Sequence, residues 1–328
     1  MKFGVLLPHF GSQASFARLM EGVVEAEELG YDSVWVRDHL VYWPHDYEDP
    51  DRTWFDPYVV LSGAAASTTR LVLGTATLIP YRHPIHETQM LASLASLAGP
   101  GRVIAGWGRG NDDREFAAAG FAASKERRRG ARLEEHLDII RALWRGEPLD
   151  YSGEFYKPFS DVQVTAPALD HDIPHWYGGG SAIAIQRTVR AFDGLLASRL
   201  PRDSLRRRID YMKELSAAQD KPVPVVALVA YVSPADESGD GMSHVDLDRM
   251  IPATRARHPK SSFEETDDLG GIVSTGQPPD IARNLISFAR LGVSHFIIDL
   301  RTQFNVWERS MRMVAAEVIP EVRDSSLR

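Results

Sequence analysis

Apolar and polar positions along this chain alternate between two periods. Short continuous apolar runs predict strands buried on both faces, and stretches with apolar residues three and four apart predict helices packed over them. Phe3–Leu7 reads as a first strand, and Ser15–Leu29 as a helix with Phe16, Leu19, Met20 and Val23 on one face and Gly30 as its stop. The same alternation continues. Further strands are predicted at Ser33–Arg37, Leu71–Leu78, Val103–Trp107, His175–Tyr177, Gly194–Ala197, Val223–Val232 and Val293–Leu300. Helices fall at Pro57–Ser67, His86–Leu97, Ala131–Trp144, Ala182–Ala191, Ser204–Ala218, Asp280–Leu291 and Val306–Val318.

Eight strand–helix units over about 300 residues predict an α/β fold, a (β/α)8 TIM barrel forming one domain from residue 1 to 328. A doubly wound sheet would carry a Gly-x-Gly-x-x-Gly turn after its first strand, where Pro8-His9-Phe10-Gly11 stands instead. Two stretches are too long for ordinary barrel loops, Gly146–Ile173 and Ser233–Gly276. The first contains Tyr151-Ser152-Gly153-Glu154-Phe155-Tyr156 and is predicted to hold a small hairpin. The second is polar and acidic around Asp236–Gly241. Both are expected to cap the C-terminal mouth, unless the second is a plain surface loop.

Composition narrows the chemistry. The 328 residues are 44% hydrophobic and 25% charged, as in a globular enzyme with a substantial core. There is no cysteine, which excludes disulfides, thiolate nucleophiles, iron–sulfur clusters and Cys-based zinc sites. The formal net charge of −8 speaks against nucleic acid or an anionic membrane as a partner. The apolar N-terminal run is too short for a signal peptide, and no run approaches the ~18 residues of a spanning helix. A cytoplasmic location is expected. His171, Asp172 and His175 lack a helical His pair with an added carboxylate, so no metal site is predicted.

The stretch Val34-Trp35-Val36-Arg37-Asp38-His39-Leu40-Val41-Tyr42-Trp43 is the most informative. An apolar strand ends in Asp-His, where a barrel places its active-site mouth. A Trp follows His39 at the spacing that shares a helical face. This would set a proton-transfer group beside an aromatic wall with an indole N–H, although an Asp-His pair can also serve as a cap. Gly178-Gly179-Gly180-Ser181 stands before a helix; three glycines and a helix N-terminus suit an anion, with Ser181 as N-cap. His9 follows the first strand and faces the mouth, more simply as a buried structural His. His83 and His86 read as loop and helix-start residues. The clusters 125–129 and Arg206-Arg207-Arg208 read as solvated helix faces, or as attraction for an acidic cofactor tail.

Several motifs arrive in one order. They are Asp38-His39, Gly74-Thr75-Ala76-Thr77-Leu78-Ile79-Pro80-Tyr81-Arg82-His83-Pro84, Gly101–Gly110, Arg132-Leu133-Glu134-Glu135, Ser152-Gly153-Glu154-Phe155-Tyr156, Gly178–Ser181 and Asp193-Gly194. The ordered set, covering roughly Met1 to Arg301, resembles the bacterial luciferase-like superfamily of flavin- and deazaflavin-dependent oxidoreductases. Asp38-His39 with Trp43 is similar to its F420-using branch, in which these residues lie against deazaflavin and substrate. The resemblance implies hydride transfer between F420 and a small organic substrate, with His39 and Trp43 as catalytic residues; Arg109 joins them on its own chemistry, as a cation at the mouth. It implies Asp38, Ala76, Thr77, Gly106, Gly178, Gly179, Gly180 and Ser181 as cofactor-binding residues, with a non-proline cis peptide at Ala76-Thr77. The alternative is an FMN-dependent monooxygenase fed by a partner reductase, and a non-catalytic flavin-binding barrel is a third reading. Alcohol-oxidising members carry a Glu after Gly-x-Gly in the fourth strand, where Gly106-Trp107-Gly108 is followed here by Arg109. An Arg there favours an anionic substrate or oxyanion, or pairs with Asp112, Asp113 or Glu115. A flavin or F420 reductase and a second copy of the chain, through 62–67 and Met90–Leu97, are the partners the resemblance implies.

Overall fold

The computed structural model describes residues 1–42, 51–121, 126–167, 169, 171–198, 200–235 and 273–325. Trp43 and the acidic stretch Asp236–Gly241 lie outside the described residues.

Eight parallel strands close the predicted (β/α)8 barrel. They are β1 (Lys2–Leu6), β2 (Ser33–Val36), β3 (Val72–Thr75), β4 (Val103–Gly108), β7 (His175–Gly178), β8 (Gly194–Ser198), β9 (Val225–Pro234) and β11 (His295–Asp299). β11 pairs with β1 and β9, and β9 pairs with β8, which completes the ring. The strands read as continuous apolar runs because helices cover them outside and side chains fill them inside. Trp35 and Trp107 are fully buried. Trp35 donates its indole N–H to Ser33 Oγ at 2.8 Å, so a large ring is buried without an orphaned donor.

Helices α1 (Phe16–Glu28), α2 (Pro57–Ser67), α3 (Pro84–Ala98), α4 (Asp113–Ala118), α5 (Glu126–Trp144), α6 (Ala182–Ala191), α7 (Arg202–Ala218) and α8 (Pro278–Ala289) lie between the strands. Their starts follow capping chemistry. Asp56 accepts the Tyr58 N–H ahead of Pro57, and His83 Nδ1 accepts the Ile85 N–H ahead of Pro84. His83 is thus the helix-start residue expected. At the C-terminal end, Trp307 opens α9 (Trp307–Met313) and donates to the Leu6 carbonyl at 3.1 Å, locking that helix onto β1.

The first insertion holds the predicted hairpin, β5 (Leu149–Tyr151) antiparallel to β6 (Phe159–Val162). In the second, β9 runs on to Pro234 and pairs with a further strand, β10 (Val273–Gly276). Two boundaries differ in ways that matter for the site. The third strand stops at Thr75 rather than Leu78, and Leu78 rejoins β4 only through a bridge to Trp107. Helix α4 was not anticipated, because its six residues are too few to show a period. Asp112 caps it, accepting the Arg114 N–H at 2.7 Å.

Candidate active site

His39 stands just beyond β2 at the C-terminal mouth, with a side chain 15% exposed. Its Nδ1 lies 3.2 Å from Glu115 Oε1 and its Nε2 lies 3.4 Å from Arg37 Nη2. Trp54 packs edge-on against the imidazole with ring centroids 4.5 Å apart. Main-chain pairing delivers that indole. Phe55 donates its N–H to the His9 carbonyl and Gly11 to the Thr53 carbonyl, so the 53–55 segment runs beside the end of β1. Trp54 stacks on Phe10, and the Arg37 guanidinium lies 5.2 Å from both ring centres. The aromatic ring seen against His39 is that of Trp54, whose indole N–H is buried and has no hydrogen-bond partner; Trp43, expected there, lies outside the described residues.

Glu115 is fully buried and comes from α4. Oε1 accepts the Leu40 N–H at 2.8 Å and the Val41 N–H at 3.2 Å, and Oε2 accepts the Tyr81 hydroxyl. Burial, together with the Glu115 carboxylate, holds the Tyr81 phenol far above its ordinary range and keeps it a donor. The carboxylate behind His39 is thus Glu115 rather than the adjacent Asp38. The Asp38 side chain turns to Arg82, which binds both of its oxygens at 2.8 and 3.1 Å, while the Ile79 N–H donates to it at 3.2 Å. Burial pushes the Asp38 carboxyl upward against the pull of Arg82. Asp38 therefore ties the end of β2 to the segment after β3.

His9 is fully buried. Its Nδ1–H donates to the Leu7 carbonyl at 2.9 Å and its Nε2 accepts the Arg37 N–H at 3.0 Å. Burial is the largest influence on it, and Arg37 and Arg301 add to the effect, lowering its pKa to about 4. It is a neutral strut between β1 and β2.

The Ala76–Thr77 cis peptide sits where the resemblance implied. The chain there crowds β4 and β7. A Cβ on Gly108 would meet Thr77 Oγ1 at 2.3 Å, and one on Gly178 would meet Thr77 Cγ2 at 2.6 Å. A Cβ on Gly106 would strike the Thr75 carbonyl at 2.0 Å. These glycines let the segment after β3 lean across the mouth.

Gly178, Gly179, Gly180 and Ser181 lead from β7 into α6 and line a cavity of about 490 Å³ together with Arg109, Tyr177 and Arg187. Ser181 caps α6, its Oγ accepting the Ala184 N–H at 3.1 Å, which leaves its hydroxyl proton to donate. The Nε–H of Arg208 donates to the Gly180 carbonyl and supports the glycine turn from behind. Arg109 therefore borders the glycine-rich cavity. Of the acids weighed as its partners, Asp112 pairs with Arg114, Asp113 with Arg129, and Glu115 bonds His39 and Tyr81.

The basic clusters are not simply solvated faces. Arg129 is 3% exposed, ion-paired to Asp113 and set over the Phe116 ring. Arg208 is half-buried beneath the glycine turn. Arg128 pairs with Glu154, and Arg207 with Asp203, as surface residues do. Sequence reasoning missed Glu115 and Trp54 as neighbours of His39. Neither carries a local signal, since 76 residues separate His39 from Glu115.

A family model described as luciferase-like monooxygenase matches residues 1–295. Over 325 residues the chain is 32% identical to the F420-dependent glucose-6-phosphate dehydrogenase of Amycolatopsis mediterranei (strain U-32), taking in 93% of this chain and 94% of that protein. It is 33% identical over 198 residues to the protein of the same name from Nakamurella multipartita, a match spanning 58% of this chain and 56% of that relative. Among solved structures, an F420-dependent secondary alcohol dehydrogenase in complex with an F420-acetone adduct has the same fold, with a TM-score of 0.80 over 98% of this chain and 99% of that one at 18% identity. An F420-dependent tetrahydromethanopterin reductase from Methanopyrus kandleri gives a TM-score of 0.73 at 17% identity, with 98% and 99% of the two chains covered. The chain belongs to the luciferase-like monooxygenase family.

Proposed function

We propose that this protein is an F420-dependent oxidoreductase that moves a hydride between the deazaflavin and a small organic substrate. The observation that carries the reading is the likeness to an F420-dependent dehydrogenase along 94% of that relative's length. The residues at the mouth suit the group. Gly178–Ser181 and the α6 N-terminus form a cradle of backbone N–H groups, and Arg109 and Arg187 line the same cavity, as a phosphate-bearing cofactor requires. F420, when bound, supplies the hydride chemistry, and the barrel supplies binding, orientation and electrostatics.

The roles of the chain's own residues follow from the contacts. His39 Nε2 takes or returns the substrate proton, since imidazole is suited to acid–base work near neutral pH. Trp54 walls the pocket beside His39. Thr77 and the Ala76 peptide back the cofactor ring, with Gly106 and Gly178 giving them room. Asp38 holds this segment through Arg82 and the Ile79 N–H. Arg109 is assigned to the anionic part of the cofactor, because it shares the glycine-rich cavity.

A reductase or dehydrogenase elsewhere in the cell would regenerate the cofactor. A homodimer would cover the exposed Val59 of α2 and Leu97 of α3, which are 56% and 53% exposed. Light scattering on the purified protein tests the dimer. Equilibrium binding of the apo-protein to F420 and FMN in parallel tests the main reading. Tight F420 binding with weak FMN binding supports it; preference for FMN overturns it and points to oxygenation with a partner reductase.

A further inference from the structure

We propose that Glu115 is a positioning residue for His39: it holds the imidazole proton on Nδ1 and so leaves Nε2 as the nitrogen that carries the lone pair. The proposal rests on the reading that His39 moves the substrate proton.

A neutral imidazole carries one N–H and one lone pair, and its neighbours decide which nitrogen has which. Nδ1 faces Glu115 Oε1 at 3.2 Å. That oxygen already receives the Leu40 and Val41 N–H groups, so it acts as an acceptor and the imidazole must donate to it. Nε2 faces Arg37 Nη2 at 3.4 Å. A guanidinium has donors only, so Nε2 presents its lone pair. Two neighbours on opposite edges of the ring thus favour one tautomer.

The support behind Glu115 is built rather than incidental. The side chain is fully buried, both oxygens are engaged, and the Tyr81 hydroxyl fixes the second. The two backbone N–H groups come from the residues immediately after His39, so the same carboxylate sets both the ring and the turn that carries it. Buried from solvent, Glu115 acts through the imidazole, as carboxylates do behind catalytic and metal-bound histidines. When His39 takes a proton, the negative charge beside Nδ1 stabilises the imidazolium.

The test is nitrogen NMR of the 15N-histidine-labelled apo-protein at a pH where His39 is neutral. The spectrum of His39→Ala assigns the His39 signals by their loss among the 11 histidines. Wild type is expected to show a protonated Nδ1 and a bare Nε2. Glu115→Ala is expected to weaken that preference measurably, since only Arg37 then remains to favour it. Glu115→Gln keeps an acceptor but removes the charge; its kcat is expected to fall roughly 10–100-fold with KM and F420 affinity nearly unchanged. Tyr81→Phe, which leaves the Glu115–His39 contact in place, should keep the wild-type tautomer. A wild-type His39 protonated on Nε2 overturns the proposal whatever the variants do. So does a folded Glu115→Ala with an unaltered tautomer, or a Glu115→Gln with wild-type kcat. If instead His39→Ala keeps full turnover while the tautomer follows Glu115, the proton-transfer reading fails and the positioning of the ring stands.

Discussion

Arg82 grips the buried carboxylate of Asp38 with both terminal nitrogens, at 2.8 and 3.1 Å, and so fastens the loop after β3 to the end of β2. The Asp38 side chain is 1% exposed and that of Arg82 20%. Arg82 also reaches Asp56, the cap of α2, at 2.8 Å. Breaking such a pair from one side leaves a buried charge without compensation. Arg82→Met is therefore expected to destabilise the protein by about 3–5 kcal/mol, read as a lower urea midpoint with an unchanged slope. A midpoint within error of wild type would show that the pair is dispensable. Asp38→Asn with Arg82→Met together should cost less than the sum of the two, because they share one interaction.

His39→Ala should lower kcat about 100- to 10,000-fold, the usual span for loss of a positioned acid–base group, while F420 affinity changes by less than about threefold. Steady-state kinetics with titrated cofactor separate the two effects. Unchanged turnover would remove His39 from the chemistry.

Arg109→Ala discriminates between two places for a cation. If Arg109 serves the glycine-rich cavity, F420 affinity falls by about 10- to 100-fold, the worth of a charge-assisted hydrogen bond, and kcat at saturating cofactor is retained. A fall in kcat with cofactor affinity intact would place Arg109 at the substrate instead.

Two buried histidines make stability depend on pH. Burial lowers His9 to about 4 and His175 to about 3, against an ordinary value of 6.5. Between these limits the unfolded chain binds more protons than the folded one, so stability rises with pH. Their contribution is complete above pH 6.5 and is lost as pH falls toward 4 and below. From His9 alone the loss is on the order of 3 kcal/mol. Urea titrations at pH 7.5 and 5.0 read the part lost by pH 5, about 2 kcal/mol from each histidine, and His9→Asn should roughly halve the difference. Equal stability at both values would mean that neither His9 nor His175 is held neutral by the fold.

Gly108→Ala places a methyl 2.3 Å from Thr77 Oγ1 and 2.8 Å from Ile79. Either Thr77 or β4 must shift. The expected result is weaker F420 binding together with a loss of about 1–3 kcal/mol in stability. Wild-type values for both would show that the segment after β3 is free to move aside.

The barrel was legible in the sequence because its signals are local. Apolar runs such as Val34–Val36 and Phe296–Ile298 are buried on both faces and need no partner to be recognised. Helices such as Pro57–Ser67 and Ala182–Ala191 carry their own caps, and the structure reproduces both ranges. The glycine-rich turn before α6 and the Asp-His at the end of β2 were readable for the same reason: each is a short motif recognisable from its place after a strand. What stands around those motifs was decided by tertiary structure alone. Glu115 reaches His39 because a six-residue helix after β4 packs beside the loop after β2, and Trp54 arrives through main-chain bonds to residues 9–11. Asp38, next to His39 in sequence, turns away to an arginine 44 residues distant. Adjacent side chains at a strand end point in different directions, whereas groups far apart in sequence meet wherever the barrel brings strand ends together. The chain thus determined by itself which motifs stand at which strand ends, and only the closed barrel decided which carboxylate, which indole and which guanidinium each of them meets.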